Sequence, residues 1–218
     1  IDFRSAHFYG NSQHGDLHRK GLSADVGDCR LVQSIDIHPI IFLVINAQGC
    51  HDRVLGNHLR QFLREYGAVC RWSEGEKTLF FPQGSYIKFG YCDSEQDVLR
   101  YQGQEYDIIA IDEATQLSEY QYSIFAAALR GVNSFPKRIY LTCNPGGIGH
   151  AWVKRLFVDR IYREGERAED FNFISALVYD NPSLMKADPD YVRQLEALPE
   201  KLRAAWLYGR WDVFDGQF

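Results

Sequence analysis

The run Tyr106-Asp107-Ile108-Ile109-Ala110-Ile111-Asp112-Glu113 constrains the fold of this chain more than any other stretch. It is apolar without alternation until it ends on two adjacent carboxylates. A strand buried on both faces reads as a near-continuous apolar run, and such strands belong to parallel sheets covered by helices. Ligands in these sheets bind outside the carboxyl ends of the strands, which is where Asp112 and Glu113 fall. Two readings stay open on these residues alone. One is a metal-holding Asp followed by a Glu that polarises a water; the other is an acidic helix N-cap.

The remainder of the 218 residues supports an α/β reading. Ile40 to Ile45 is a second buried strand, followed by apolar positions at helical spacing from Val54 to Tyr66 and a stop at Gly67. Thr78–Phe81 and Ser85–Phe89 flank Pro82-Gln83-Gly84, the pattern of a β-hairpin. A helix is predicted over 118–130 with Tyr122, Phe125, Ala126 and Leu129 facing inward. Arg138 to Cys143 is the next buried strand, Asn144 to Gly149 a glycine-rich loop, and Ala151 to Tyr162 an amphipathic helix. A strand over 171–178, a turn at Asp180-Asn181-Pro182, and short helices near 189–197 and 199–208 complete the pattern. The order implies a mainly parallel sheet flanked by helices, with an inserted antiparallel hairpin.

Composition excludes several classes. With 45% hydrophobic and 24% charged residues the chain is ordinary for a globular domain. No run approaches the ~18 apolar residues of a membrane span, so no membrane partner is expected. The five cysteines are odd in number and scattered, with no CxxC pair, which suits a reduced protein without a structural zinc. His7, His14, His18 and His38 crowd the first segment; a metal site and an irregular segment are both open there. The net charge of −5 does not advertise nucleic-acid binding, although a local basic patch would suffice.

Phosphoryl transfer to water needs a metal, a positioned water and a group that senses the reacting phosphate. Asp112 could hold the metal and Glu113 the water. Asn144, at the end of the next strand, could contact a phosphate oxygen and the Glu, with Thr142 supporting it. The alternative for this segment is a plain strand-to-helix turn, since Asn, Pro and Gly are common turn formers.

Several ordered blocks together resemble the large terminase subunit of tailed bacteriophages. They are Gly90-Tyr91-Cys92-Asp93, Tyr101 to Asp107, Ile111 to Gln116, Leu141 to His150, Tyr179 to Leu184 and Trp206 to Asp212. The resemblance runs over about residues 54–218. It implies an ASCE-type P-loop ATPase that uses ATP and Mg²⁺ to drive double-stranded DNA into a prohead. Asp112 then matches the Walker B metal residue, Glu113 the catalytic glutamate, and Thr142 and Asn144 the coupling motif. Arg130, at the end of the helix that follows Walker B, becomes a candidate trans arginine finger, against the alternative of a cation at a helix C-terminus. Lys154 and Arg155 become candidate DNA contacts, against the alternative of a solvated helix face. Implied partners are double-stranded DNA, the portal protein, the small terminase subunit and further copies of the chain on the portal. The implied location is the host bacterial cytoplasm, transiently at the prohead and not in the virion.

The chain departs from that pattern in two ways. No GxxxxGK[ST] occurs in residues 1–53; Gly15 to Gly21 offers Lys20 as the nearest match to a phosphate-binding lysine, without the second Gly or the following Ser/Thr. Ala47-Gln48-Gly49-Cys50 stands where relatives carry a basic pair. Residues 1–53 therefore read as an aberrant or degenerate part of the ATPase domain, diverged or out of frame, and 54–218 as its core. A nuclease domain is expected to be absent. Weak hydrolysis is expected, with a non-catalytic α/β remnant that binds DNA or packaging partners as the alternative and another ASCE enzyme such as a helicase as a third reading.

Overall fold

The computed structural model describes residues 69–214, Arg64, and the backbone of two strands at residues 6–11 and 41–46. Lys20, His14, His18, His38, Ala47–Cys50 and, Arg64 apart, the helix expected over 54–66 lie outside the described residues.

Eight strands among these residues form one sheet: β1 (Ala6–Asn11), β2 (Ile41–Asn46), β3 (Arg71–Ser73), β4 (Thr78–Phe80), β5 (Tyr86–Tyr91), β6 (Ile108–Asp112), β7 (Arg138–Cys143) and β8 (Phe171–Ile174). Their order is β3-β4-β5-β2-β6-β7-β1-β8. The centre, β5-β2-β6-β7, is parallel. Both margins are antiparallel: β3-β4-β5 on one side, and β1 against β7 and β8 on the other. The sheet is therefore mixed, with its parallel part confined to the middle. The turn between β4 and β5 is closed by Gly84 N–H donating to Phe81 O at 3.0 Å, with Gly84 at φ 85°.

The apolar runs account for the central strands. Ile109, Ile111, Ile139, Leu141 and Cys143 are all buried in one cluster with Phe125, Ala128, Trp152, Leu156 and Phe157. That cluster covers one face of the sheet with helix α2 (Glu119–Ala128) and the helix after β7. The other face carries Ala110, Asp112, Tyr140 and Thr142, all half-buried among the described residues.

Helix starts follow local sequence. α1 (Glu95–Val98) and α2 both open on capping boxes, Ser94 with Asp97 and Ser118 with Gln121. α2 buries Gln121, Phe125 and Ala128 and stops two residues before the expected end. The cause is backbone pairing: Tyr106 N–H donates to Ala128 O at 2.9 Å, which draws Leu129 into a bridge with Tyr106. After β7, α3 (His150–Val153) continues as a π turn over Lys154–Val158. The expected strand over 171–178 ends at Ile174, because Val178 enters a 3₁₀ turn. Asn181 and Pro182, expected as a turn, instead start α4 (Pro182–Ala187): the Asn181 side chain caps Leu184 N–H and Pro182 takes the first position. α5 (Tyr191–Glu196) and α6 (Glu200–Trp206) follow and close a small second core on Val178, Leu195 and Leu207. No helix among the described residues is long and apolar enough to cross a membrane.

Candidate active site at the carboxyl ends of β6 and β7

β6 and β7 run parallel in register through Ile111↔Leu141. One step further on, Asp112 and Thr142 lie abreast, on the face opposite the core. The Thr142 hydroxyl donates to Asp112 Oδ1 at 2.5 Å. Thr142 thus supports the carboxylate, where support of Asn144 was expected. A hydrogen bond to an ionised acceptor is short and strong, and it fixes the rotamer of the acid.

Glu113 has φ 56° and ψ 47°, the left-handed region. For a residue with a Cβ this costs about 1–2 kcal/mol. The turn ends β6 and leads into the 3₁₀ segment Ala114–Gln116. An observed backbone outlier at a residue already singled out for its chemistry supports a functional role for it.

Asn144 begins the glycine-rich loop, and the loop is bound to the Glu113 turn. Thr115 Oγ1 donates to Asn144 O at 3.0 Å, and Gly149 N–H donates to Thr115 O at 2.8 Å. Trp152 Nε1 donates to Leu117 O at 2.8 Å. The glycines are required by this closeness. A Cβ at Gly147, already at φ +84°, would stand 2.5 Å from Thr115 O, and one at Gly149 2.3 Å from Leu117 O. On its other side the loop meets the end of the described chain. Gly146 N–H donates to His150 Nδ1 at 3.1 Å, so that nitrogen carries no proton. The His150 ring stacks on Trp211 and meets Phe214 edge-on.

Glu113, Thr115, Gln116 and Asn144–Gly147 form one wall of a cleft of about 530 Å³, within the usual range of ligand sites. Tyr191, Gln194, Leu195, Leu202 and Trp206 of α5 and α6 contribute to the facing wall, with Phe214. The predicted residues therefore fall into two pairs: Asp112 with Thr142 by hydrogen bond, and Glu113 with Asn144 along one cleft. Sequence reasoning missed Thr115 and the aromatic wall; the only local signal for Thr115 is its place two residues after Glu113. Cys143, between the two pairs, is held well above the ordinary thiol range by burial and then by the Glu113 carboxylate, so it stays an unreactive thiol.

Arg130 is not at this site. It lies beside the amino end of β6 and pairs with Glu105 at 3.4 Å. The five residues of β6, at about 3.3 Å each, separate it from Asp112.

Lys154 and Arg155, expected as DNA contacts, are both engaged in ion pairs within the chain. Arg155 grips Glu166 through two nitrogens at 2.7 and 2.9 Å, Glu119 at 2.9 Å, and Ile161 O at 2.8 Å. Its side chain is only 16% exposed, and a guanidinium so committed has no fork left for phosphate. The Arg155 bond is the main cause of a Glu166 pKa below the usual carboxylate range. Lys154 pairs with Asp159 at 3.0 Å. Arg163 and Arg167 are likewise paired, with Glu119 and Asp170.

An α/β sheet with a Thr-braced aspartate and a strained glutamate at the ends of parallel strands has the fold of solved phage large terminases. The chain belongs to the family described as terminase large subunit, T4likevirus-type, N-terminal, whose match covers residues 31–213. It is similar to the large terminase of a thermophilic bacteriophage in one crystal form, with TM-score 0.60 and 18% identity over 86% of this chain and 47% of that one. Structures of the same phage terminase in complex with ADP and with ATP-γ-S give TM-scores of 0.59 and 0.58 at 17% identity, each over 84% of this chain and 45% and 42% of theirs. The chain spans somewhat less than half the length of these structures. A comparison with curated protein sequences gave no match.

Proposed function

We propose that the chain is the ATPase motor domain of a phage large terminase, which powers translocation of double-stranded DNA into the prohead. The observation that carries this reading is the arrangement at the ends of β6 and β7: Asp112 braced by Thr142, and Glu113 turned out of the strand beside Asn144. The family match and the nucleotide-bound structures of the thermophilic phage terminase support it.

In this reading Glu113 accepts a hydrogen bond from the attacking water and orients it. Asn144 contacts a phosphate oxygen through its neutral amide and reports the phosphate state to the loop it begins. The donor set suits Mg²⁺, which is commonly held by one or two carboxylates plus substrate phosphates and keeps several waters. Among the described residues no group of three or more His, Cys, Asp or Glu side chains forms an all-protein cage. Asp112 would hold the ion, and when bound the ion neutralises charge on the transferring phosphoryl group. Portal protein, small terminase subunit and further copies of the chain are the proposed partners, and the host bacterial cytoplasm the proposed setting.

One observation favours a weaker motor or a non-catalytic remnant. A phosphate loop follows the carboxyl end of a strand and opens a helix. β1, the strand beside β7, is antiparallel: Ala6 lies level with Cys143, while Asn11 lies level with Arg138 at the far end. β1 thus runs toward the end of the sheet opposite Glu113. Together with the missing GxxxxGK[ST], this supports slow turnover.

The test is Mg²⁺-dependent ATP hydrolysis by the chain and by Glu113→Gln. Slow turnover that the substitution abolishes is expected. Turnover indifferent to the substitution, or no nucleotide binding at all, overturns the motor reading in favour of the remnant. Robust turnover abolished by the substitution would mean that residues 1–53 contain a phosphate cradle.

A further inference from the structure

The bonds behind the site point to a residue of the cleft wall that has so far been given no role. Thr115 is 1% exposed and sits in the 3₁₀ turn immediately behind Glu113. Its hydroxyl donates to Asn144 O at 3.0 Å, and its own carbonyl accepts from Gly149 N–H at 2.8 Å. That same carbonyl occupies the space a Cβ at Gly147 would need. One buried residue therefore holds the loop at its first residue and at its last, while its chain neighbours are the turn that carries Glu113. Asn144 and Glu113 come from different strands, and both face the same cleft.

We propose that Thr115 is a positioning residue that fixes Asn144 to the Glu113 turn, so that the glutamate and the loop move as one body. The assignment rests on the functional reading of Glu113 and Asn144 above, but the bond itself does not. If the Glu113 backbone leaves the left-handed region, Thr115 shifts with it and carries the Asn144 carbonyl along. A hydroxyl is the chemical requirement: valine fills the same volume without a donor, and serine keeps the donor without the methyl.

Hydrogen exchange on the whole chain tests the lock without any need for catalysis. In Thr115→Val the amides of residues 146–150 are expected to exchange about 5-fold faster, the loss of one ordinary hydrogen bond, while β6 and β7 keep their protection. Thr115→Ser is expected to exchange as the unsubstituted chain does. Equal protection in all three chains overturns the proposal. So does acceleration spread over the whole sheet, which would make Thr115 a packing residue only. Where the chain turns over MgATP, Thr115→Val lowers kcat at unchanged KM and serine restores it. A chain with no turnover would sink the catalytic reading of the site, and the exchange comparison would still decide the lock.

Discussion

Thr142 Oγ1 and Asp112 Oδ1 are joined across two parallel strands at 2.5 Å, making the hydroxyl the donor to the proposed metal acid. Removing it leaves a half-buried carboxylate short of a partner. A double-mutant cycle of Thr142→Val with Asp112→Ala, followed by urea unfolding, is expected to give a coupling of about 1.5–3 kcal/mol, the range for a bond to a charged group. Additive single substitutions would mean the hydroxyl contributes nothing to the acid.

Glu113 should show a conflict between stability and chemistry. Glycine adopts a φ of 56° without the steric cost of a Cβ, so Glu113→Gly is expected to stabilise the chain by up to about 1 kcal/mol. Equilibrium unfolding reads this directly. A destabilised variant would show that side-chain contacts, and not backbone sterics, dominate at this position.

The glycines of the chain should divide by what stands opposite them. Gly149→Ala drives a Cβ to 2.3 Å from Leu117 O and 2.6 Å from Trp152 Nε1, and is expected to cost about 2–3 kcal/mol. Gly165→Ala meets nothing within 4 Å but has φ +87°, which places its cost at about 1 kcal/mol. Gly75→Ala meets neither obstacle and should lie within about 0.5 kcal/mol of the parent. Melting temperatures of the three variants should rise in that order.

Arg155 is predicted to matter for stability and not for DNA. Arg155→Gln strands parts of Glu166 and Glu119 and is expected to cost about 2 kcal/mol. The sign of the pH effect follows from Glu166, whose folded pKa is lowered chiefly by the Arg155 hydrogen bond. Its stabilising contribution is complete above the unfolded value of about 4.3 and is lost as pH falls through the lower folded value. The gap in melting temperature between parent and Arg155→Gln should therefore narrow below about pH 4. The salt dependence of any DNA binding should be unchanged by the substitution.

The parts of the fold legible in the sequence were those written in local chemistry. Ile108, Ile109 and Ile111 of β6 and Ile139, Leu141 and Cys143 of β7 are buried as expected of apolar strands in a covered sheet, while Ala110, Tyr140 and Thr142 are half-buried. α2 begins at Ser118 because a Ser followed three residues later by Gln satisfies both cap amides. The failures involve partners distant in sequence. Arg155 resembles a solvated cation until Glu119, 36 residues away, is brought beside it. Thr115 reveals itself only through Asn144, 29 residues on. β1, Ala-His-Phe-Tyr-Gly-Asn, has no sustained apolar period, and its place comes from pairing with β7 and β8.

The ring of Phe214 lies 3.4 Å from where a Cβ on Gly146 would be, and it meets His150 edge-on. The last described turn of the chain is thus pressed against the loop that starts at Asn144. Whatever is joined to the polypeptide after Phe214 is moored at this point, beside the proposed phosphate sensor and not at a remote corner of the sheet. A force applied there would be carried by the Phe214 ring to Gly146 and His150, the two residues it meets at either end of the loop's second half.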